Sequence, residues 1–354
     1  MFFASLALFA CVALATPLQR SSGLQVEITA PTDAASVSDL TFTAKVTNSG
    51  DEDLKVLRYG TVLDSLPTRS FAIQKDGVDV AFTGVRMSVS LDENAENVFT
   101  VIGAGESVEV THDVSALYDF DAAGAGTFTF SPLVDFMVAK ADAALDTLAE
   151  VASNNFEVAI SNVTPVALMA EATDKLEKRA SVSCSTSTYS SFISSSYSEA
   201  KSLASLGVSY ISSYGSSGSI FSAYFSGVST STVSSKLSAV ASESSSSRTL
   251  SCTDPYGVCD GNVIAYTLIA TTNIYYCSIF YNEVTTSRLC SGTSVASRNI
   301  RGGTTLHELT HAVADTDDIT YGCANDQALS SSNKAINADN YNCFVTQVYA
   351  STQC

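Results

Sequence analysis

The chain has 354 residues, enough for two domains, and its 18 basic against 36 acidic side chains give a formal charge of −18. That excess of acid excludes a surface built to hold nucleic acid. Hydrophobic residues make up 45% and charged residues only 15%, so most of the chain is expected to fold around apolar cores.

Residues 2–15 form a short apolar run ending Ala13-Leu14-Ala15, which reads as a signal peptide cleaved after Ala15. The run is too short to span a membrane, and no later run reaches about 18 apolar residues, so a secreted, extracellular product without a membrane anchor is expected. Between residues 24 and 160 polar and apolar residues alternate, as in Leu24/Val26/Ile28, Leu40/Phe42/Ala44/Val46 and Phe156/Val158/Ile160. Alternation of this kind marks half-buried strands, and Asp76-Gly77 between two such runs marks a hairpin. The segment is expected to be a β-sandwich-like pro-region. His112 beside Asp113 reads as a solvated histidine at a strand end, and Asn162-Val163-Thr164 as an N-glycosylation acceptor.

Composition changes at Lys178-Arg179, a dibasic pair that reads as the cut site of a kexin-type processing protease. From Ala180 onward seven basic and eleven acidic residues give a net −4, leaving −14 on residues 1–179. Eight of the nine cysteines also lie beyond this point, at Cys184, Cys252, Cys259, Cys277, Cys290, Cys323, Cys343 and Cys354, and the ninth is Cys11. An even set confined to one half reads as a disulfide framework made in an oxidising compartment. The division is therefore signal 1–15, propeptide 16–179 and mature domain 180–354, with the propeptide a partner of its own mature domain.

Residues 181–251 are so rich in serine that a linker or glycosylated stalk comes first to mind. A stalk of that kind needs proline, and the only proline after Ala180 is Pro255. The segment also carries apolar residues at helical spacing, among them Phe192, Leu203, Leu206, Tyr210 and Phe221, so it reads as two or three helices joined near Gly215 and Gly218 and held by a disulfide from Cys184. Strands are expected at 263–268 and 274–281, and helices again at Leu306/Leu309/Val313 and Tyr341/Phe344/Val345/Val348.

His307-Glu308-Leu309-Thr310-His311 is an HExxH motif. Residues i and i+4 lie one turn apart on a helix face, so both imidazoles reach one zinc ion while Glu308 stands beside it as a general base. Thr305-x-x-Glu308 also reads as a helix capping box. The mature segment has no histidine outside the motif, which leaves its many serines and its cysteines without the base that a nucleophilic protease needs. No glutamate follows His311, so a third ligand falls to Asp315, Asp317, Asp318, Asp326 or Asp339.

With Asp315-Thr316-Asp317-Asp318-Ile319-Thr320-Tyr321-Gly322 after the motif, the chain resembles the deuterolysin (aspzincin) family of fungal secreted zinc endopeptidases, whose signature is HExxH followed by G-T-x-D-x-x-Y-G. It departs at Asp315, where the family has glycine. The likeness extends through Cys252-Thr253-Asp254-Pro255-Tyr256-Gly257, Ala265-Tyr266-Thr267, Thr304-Thr305-Leu306 and Asn337-Ala338-Asp339. It implies an α+β, zincin-like, mainly helical catalytic domain with a small sheet, one zinc ion on His307, His311 and Asp318, and Tyr321 as a transition-state donor. It also implies disulfides Cys184–Cys252, Cys259–Cys277 and Cys290–Cys354, which leaves Cys323–Cys343 by elimination. Lysine-specific relatives read a substrate lysine with the aspartate of N-A-D and a glutamate three residues later. Here Asp339 matches the first, but Asn342 replaces the second, so Asp339 is expected to face substrate without strict lysine selection. The function implied is a secreted endopeptidase made as a zymogen, acting on proteins or peptides with a bias to basic proteins. A serine-rich adhesive surface protein with a vestigial HExxH, or a metal-dependent hydrolase of small amides, are the competing readings.

Overall fold

The computed structural model describes residues 23–91, 98–139, 145–147, 151–166 and 181–354. The expected signal segment, Cys11 and the Lys178-Arg179 pair lie outside the described residues. The first half consists of strands β1 (Leu24–Thr29), β2 (Asp33–Ala34), β3 (Thr41–Asn48), β4 (Leu54–Leu57), β5 (Phe71–Lys75), β6 (Val78–Asp79), β7 (Val85–Val89), β8 (Phe99–Ile102), β9 (Ser107–Asp113), β10 (Gly126–Pro132), β11 (Met137–Ala139), β12 (Leu145–Thr147), β13 (Val151–Ala152) and β14 (Phe156–Ile160), with one short helix, α1 (Phe120–Ala123).

Three sheets have the orders β13-β1-β3-β9, β2-β14-β10-β5-β6 and β12-β11-β4-β8. The first two share a core because alternation turns the same face of each inward: Phe42 on β3 meets Phe71 and Phe130 edge-on at 5.6 and 5.0 Å. Asp76 and Gly77 connect β5 to β6 with φ of 52° and 77°, the left-handed pair that a two-residue hairpin requires. His112 differs from expectation. It stands opposite Phe42 in the β3–β9 register and is buried, its Nε2 3.0 Å from Val62 O and its ring edge-on to Phe71. Burial lowers its pKa, because the strand's alternation puts it on the apolar face rather than in solvent. Asn162 is exposed, and its Oδ1 accepts from the Thr164 amide and hydroxyl.

The second half begins with β15 (Ser181–Ser183) and three helices, α2 (Ser187–Tyr214), α3 (Ser219–Phe225) and α4 (Thr230–Ala241). The outward serines of α2 satisfy their hydroxyls within the helix: Ser194, Ser198, Ser202, Ser209 and Ser213 each donate to the carbonyl four residues back. Its other face buries Ile193, Ala200, Leu203 and Ala204. Gly207 on that face allows close contact, since a Cβ there would stand 2.9 Å from both Leu237 and Val345.

Strands β16 (Thr249–Ser251), β17 (Val263–Leu268) and β18 (Asn273–Tyr276) follow, then α5 (Arg301–Ala314), α6 (Cys323–Ala328), α7 (Ser331–Ile336) and α8 (Ala338–Thr352). The strand expected at 274–281 stops at Tyr276. Cys277 is bridged to Cys259, and a 3-10 turn over Ser278–Asn282 folds Phe280 back onto Tyr276 at 4.3 Å. The sheet of this half has the order β15-β16-β18-β17-β7, so its last strand comes from the first half. Among the described residues no helix is long and apolar enough to cross a membrane.

All eight cysteines of the second half pair, as Cys184–Cys252, Cys259–Cys277, Cys290–Cys354 and Cys323–Cys343. The last bridge ties the start of α6, directly after Tyr321-Gly322, to α8. Replacing Cys323 and Cys343 together by alanine is expected to lower the melting temperature by roughly 5–10 °C, as for loss of a crosslink closing a short loop. Calorimetry of the double variant checks this, and an unchanged melting curve refutes a structural role for the bridge.

Candidate metal centre

Helix α5 carries the HExxH motif in its second and third turns. Its N-cap, Ile300, makes no side-chain cap, and Thr305 lies inside the helix with its hydroxyl donating to Ser196 Oγ at 2.9 Å. The capping-box reading of Thr305 and Glu308 therefore does not hold, because the helix starts four residues earlier. Ten consecutive residues from Gly302 to His311 are buried. Leu306 and Leu309 anchor the helix in the core, and Val313 packs against it from a partly buried position.

The helix ends where Asp315 takes a left-handed conformation (φ 46°) and donates its amide to Thr310 O. That turn sends the chain back along the helix. Asp317 N donates to Ile336 O and Ala338 N to Asp317 O, while Asn337 Oδ1 accepts from the amides of Ile319 and Thr320 at 2.9 and 3.2 Å. Asp318 is thereby delivered to the histidines, with Oδ1 3.0 Å from His307 Nε2 and 3.2 Å from His311 Nε2. Of the other aspartates, Asp315 is 93% exposed in its side chain and pairs with Arg86, Asp317 pairs with Arg69 and Arg86, and Asp326 accepts from Asn337 Nδ2.

The second nitrogens of the imidazoles face different neighbours. His311 Nδ1 donates to Thr316 O at 2.9 Å, and His307 Nδ1 faces Asp339 Oδ1 at 3.6 Å. The Thr316 carbonyl fixes the Nδ1–H tautomer of His311, which leaves its Nε2 free to serve as a ligand atom. The three donor atoms lie within 4.8 Å of one another, and His311 Nε2 is buried without a hydrogen-bond partner among the described residues. Two imidazole nitrogens and one carboxylate oxygen suit zinc. The electrostatics favour a cation there. Burial opposes charge on His307, yet hydrogen bonds to Asp318 and Asp339 outweigh it and raise its pKa to about 10. Burial likewise opposes ionisation of Asp318, and the two histidines hold its carboxyl well below the usual range.

Glu308 is fully buried. Its Oε2 accepts from Thr267 Oγ1 at 2.7 Å, its Oε1 has no hydrogen-bond partner among the described residues, and burial raises its pKa. Tyr321 lies with its ring nearly parallel to that of His307 at 6.3 Å and donates its hydroxyl to Met87 O at 2.9 Å. Asp339 corrects the expectation that it faces substrate. Its carboxylate has no exposure, because it accepts two bonds from Arg298 at 2.7 and 3.0 Å and one from the Gly322 amide at 2.7 Å. Burial opposes its ionisation, and Arg298 takes its pKa down to about 2. Its charge is compensated from inside the protein, so it offers none to a substrate lysine. The motif reading missed Thr267, Arg298 and Asn337; Thr267 and Asn337 stand within the quoted Ala265-Tyr266-Thr267 and Asn337-Ala338-Asp339 elements, whereas nothing in the sequence marks Arg298.

The pattern of the deuterolysin metalloprotease (M35) family matches residues 2–352. A "neutral protease 2 homolog" of Aspergillus terreus is 31% identical over 351 residues, covering 96% of this chain and 95% of that protein. Penicillolysin of Penicillium citrinum is 32% identical over 316 residues, covering 86% and 87%. Among solved structures, a zinc peptidase from Grifola frondosa is similar at 23% identity with a TM-score of 0.38, over 46% of this chain and 96% of that one. The chain belongs to the deuterolysin metalloprotease (M35) family and is a metallopeptidase.

Proposed function

We propose that the protein is a secreted endopeptidase made as a zymogen: a signal segment 1–15, a β-sandwich-like propeptide 16–179, and a zincin-like, mainly helical mature domain 180–354 released by a kexin-type cut after Arg179. The observation that carries the catalytic part of this reading is the convergence of His307, His311 and Asp318 on one point, beside the unpaired Oε1 of Glu308. One zinc ion held by those three side chains would supply Lewis acidity, polarising a carbonyl and making a water molecule acidic.

The chain's own groups do the rest. Thr267 holds one oxygen of Glu308, so the other is directed for proton work; it accepts the proton of the attacking water and passes it to the leaving amine. Raised basicity from burial suits both transfers. Tyr321 donates its hydroxyl to the carbonyl oxygen as negative charge develops there, a contact of a kind worth about 3 kcal/mol. Asp339, backed by Arg298, fixes the ring of His307 rather than reading a substrate side chain. Asn162 would carry a glycan on the propeptide. Substrates are proteins or peptides of broad sequence. The net −4 of the mature segment and the acidic run Asp315-Thr316-Asp317-Asp318 beside the centre support a bias to basic proteins.

Glu308→Gln is expected to keep stoichiometric zinc while lowering peptidase activity at least about a hundredfold, as for loss of a general base; unchanged turnover of casein would dismiss the assignment. Asp318→Ala should lose zinc by metal analysis while Asp315→Ala and Asp317→Ala retain it, and the opposite pattern would transfer the ligand role. Preference for a basic over a neutral protein should shrink as salt rises from about 0.01 to 1 M, where screening shortens from roughly 30 to 3 Å. A preference indifferent to salt removes its electrostatic basis.

A further inference from the structure

The first half reaches the metal centre through one strand. β7 pairs antiparallel with β17 in the register Val85↔Leu268, Arg86↔Thr267, Met87↔Tyr266 and Ser88↔Ala265. The ladder continues past both ends, from Ala270 N to Thr83 O at 3.1 Å and from Ser90 N to Asn262 O at 2.9 Å. At its midpoint both backbone groups of Met87 are engaged by site residues. The Met87 amide donates to Asp318 Oδ2 at 2.7 Å, and its carbonyl accepts from the Tyr321 hydroxyl at 2.9 Å.

We propose that β7 is an inhibitory strand seated where a substrate backbone must lie, and that the first half stays bound as an inhibitor after the chain has been cut between the halves. This rests on the peptidase reading above. An extended segment added to a sheet edge is bound through its main chain, with side chains taken up alternately. The Met87 carbonyl accepts from the hydroxyl assigned to the scissile carbonyl oxygen, so no substrate carbonyl reaches Tyr321 until β7 leaves. The same residue's amide covers the outer oxygen of Asp318.

The hold does not depend on the covalent link. Arg86 reaches Asp315 at 3.2 Å and Asp317 at 3.3 Å, and Arg69 reaches Asp317 at 2.7 Å. Tyr59 donates to Asp260 at 2.8 Å, and Arg58 pairs with the same carboxylate. From the other side Arg298 donates to Val89 O at 3.0 Å. Met87, Val89 and Met137 share a buried apolar layer with Val263, Tyr266 and Tyr321. Gly60 lets a first-half loop lie against the metal loop: its φ is +73°, and a Cβ there would stand 3.3 Å from Asp318 O. A cut after Arg179 breaks none of these contacts.

The test uses the full chain cut after Arg179 by a kexin-type protease. On metal-free protein, size-exclusion and light scattering should find the halves together at micromolar concentration. Arg69→Ala/Arg86→Ala, which removes the ion pairs to Asp315 and Asp317, should weaken their association at least about tenfold. Met87→Pro, which removes the amide bonded to Asp318, should do at least as much, while Val78→Ser at the exposed β5–β6 hairpin should leave association unchanged. On zinc-loaded protein, the cut but associated pair should hydrolyse casein at under about a tenth of the rate reached once dilution separates the halves. Halves that part on cutting, variants that hold as tightly as the original, or full activity while the halves remain together would each overturn the proposal. If the separated second half binds zinc but hydrolyses no protein, the peptidase reading fails instead, and the metal-free association still decides where β7 sits.

Discussion

The second half is organised by a helix with no solvent face at its centre. Gly302 to His311 are buried in succession, and six of those ten residues are polar, so each needs a partner from a neighbouring element. Thr304 donates to Glu283 at 2.7 Å, Thr305 to Ser196, and Thr310 shares a hydrogen bond with the Thr316 hydroxyl at 2.7 Å. Glu308 accepts from Thr267, and His311 donates to Thr316 O. An unsatisfied group in such a position costs about 1–3 kcal/mol, so the surroundings of α5 are constrained in polarity as well as shape. Small residues make the approach feasible: a Cβ on Gly302 would stand 2.7 Å from Glu199 Cβ on α2. The abundance of serine in α2 is compatible with this packing, since a serine facing the core serves as a partner and one facing outward bonds its own helix.

Behind the metal ligands the same logic governs charge. Arg298 is the cation next to two buried carboxylates, Asp339 and Asp326. It stabilises ionised Asp339, while burial and the adjacent charge of Asp339 push the pKa of Asp326 well above normal. The two shifts run in opposite directions because the one guanidinium donates to Asp339 and not to Asp326. Asp339 can then face His307 as a fixed anion.

Local pattern made much of this legible. The i, i+4 histidines, the alternating strands at 24–29 and 41–48, the Asp76-Gly77 turn and the helices within the serine-rich segment all express periods of a few residues, and each is found. What the sequence did not disclose depends on contacts between distant segments. Arg298 and Asp339 are 41 residues apart, and Arg86 and Asp315 are 229 apart; neither pairing leaves a local trace. His112 is buried although its neighbour Asp113 suggests exposure, because strand alternation sends the two to opposite faces. The early end of β18 arises from a disulfide and an aromatic turn rather than from strand propensity.

The β17 edge is where these separate constraints meet. Every residue of β17 is buried, yet a sheet edge beside a peptidase centre has to accept an extended chain, and an open edge is also a site for unwanted pairing. β7 covers it with the sequence Val-Arg-Met-Ser-Val. Although the first half carries most of the net negative charge, Arg58, Arg69 and Arg86 all face Asp260, Asp315 and Asp317 of the second. Pairs as exposed as Arg86 with Asp315 contribute at most about 1 kcal/mol each, so main-chain bonds and apolar burial carry the hold while the charges align it. Withdrawing the first half would then uncover, at once, a hydrogen-bonding edge and three aspartates without their arginine partners, two of them in the loop that carries Asp318. That surface is complementary to an extended chain bearing positive charge, the same features that seat β7.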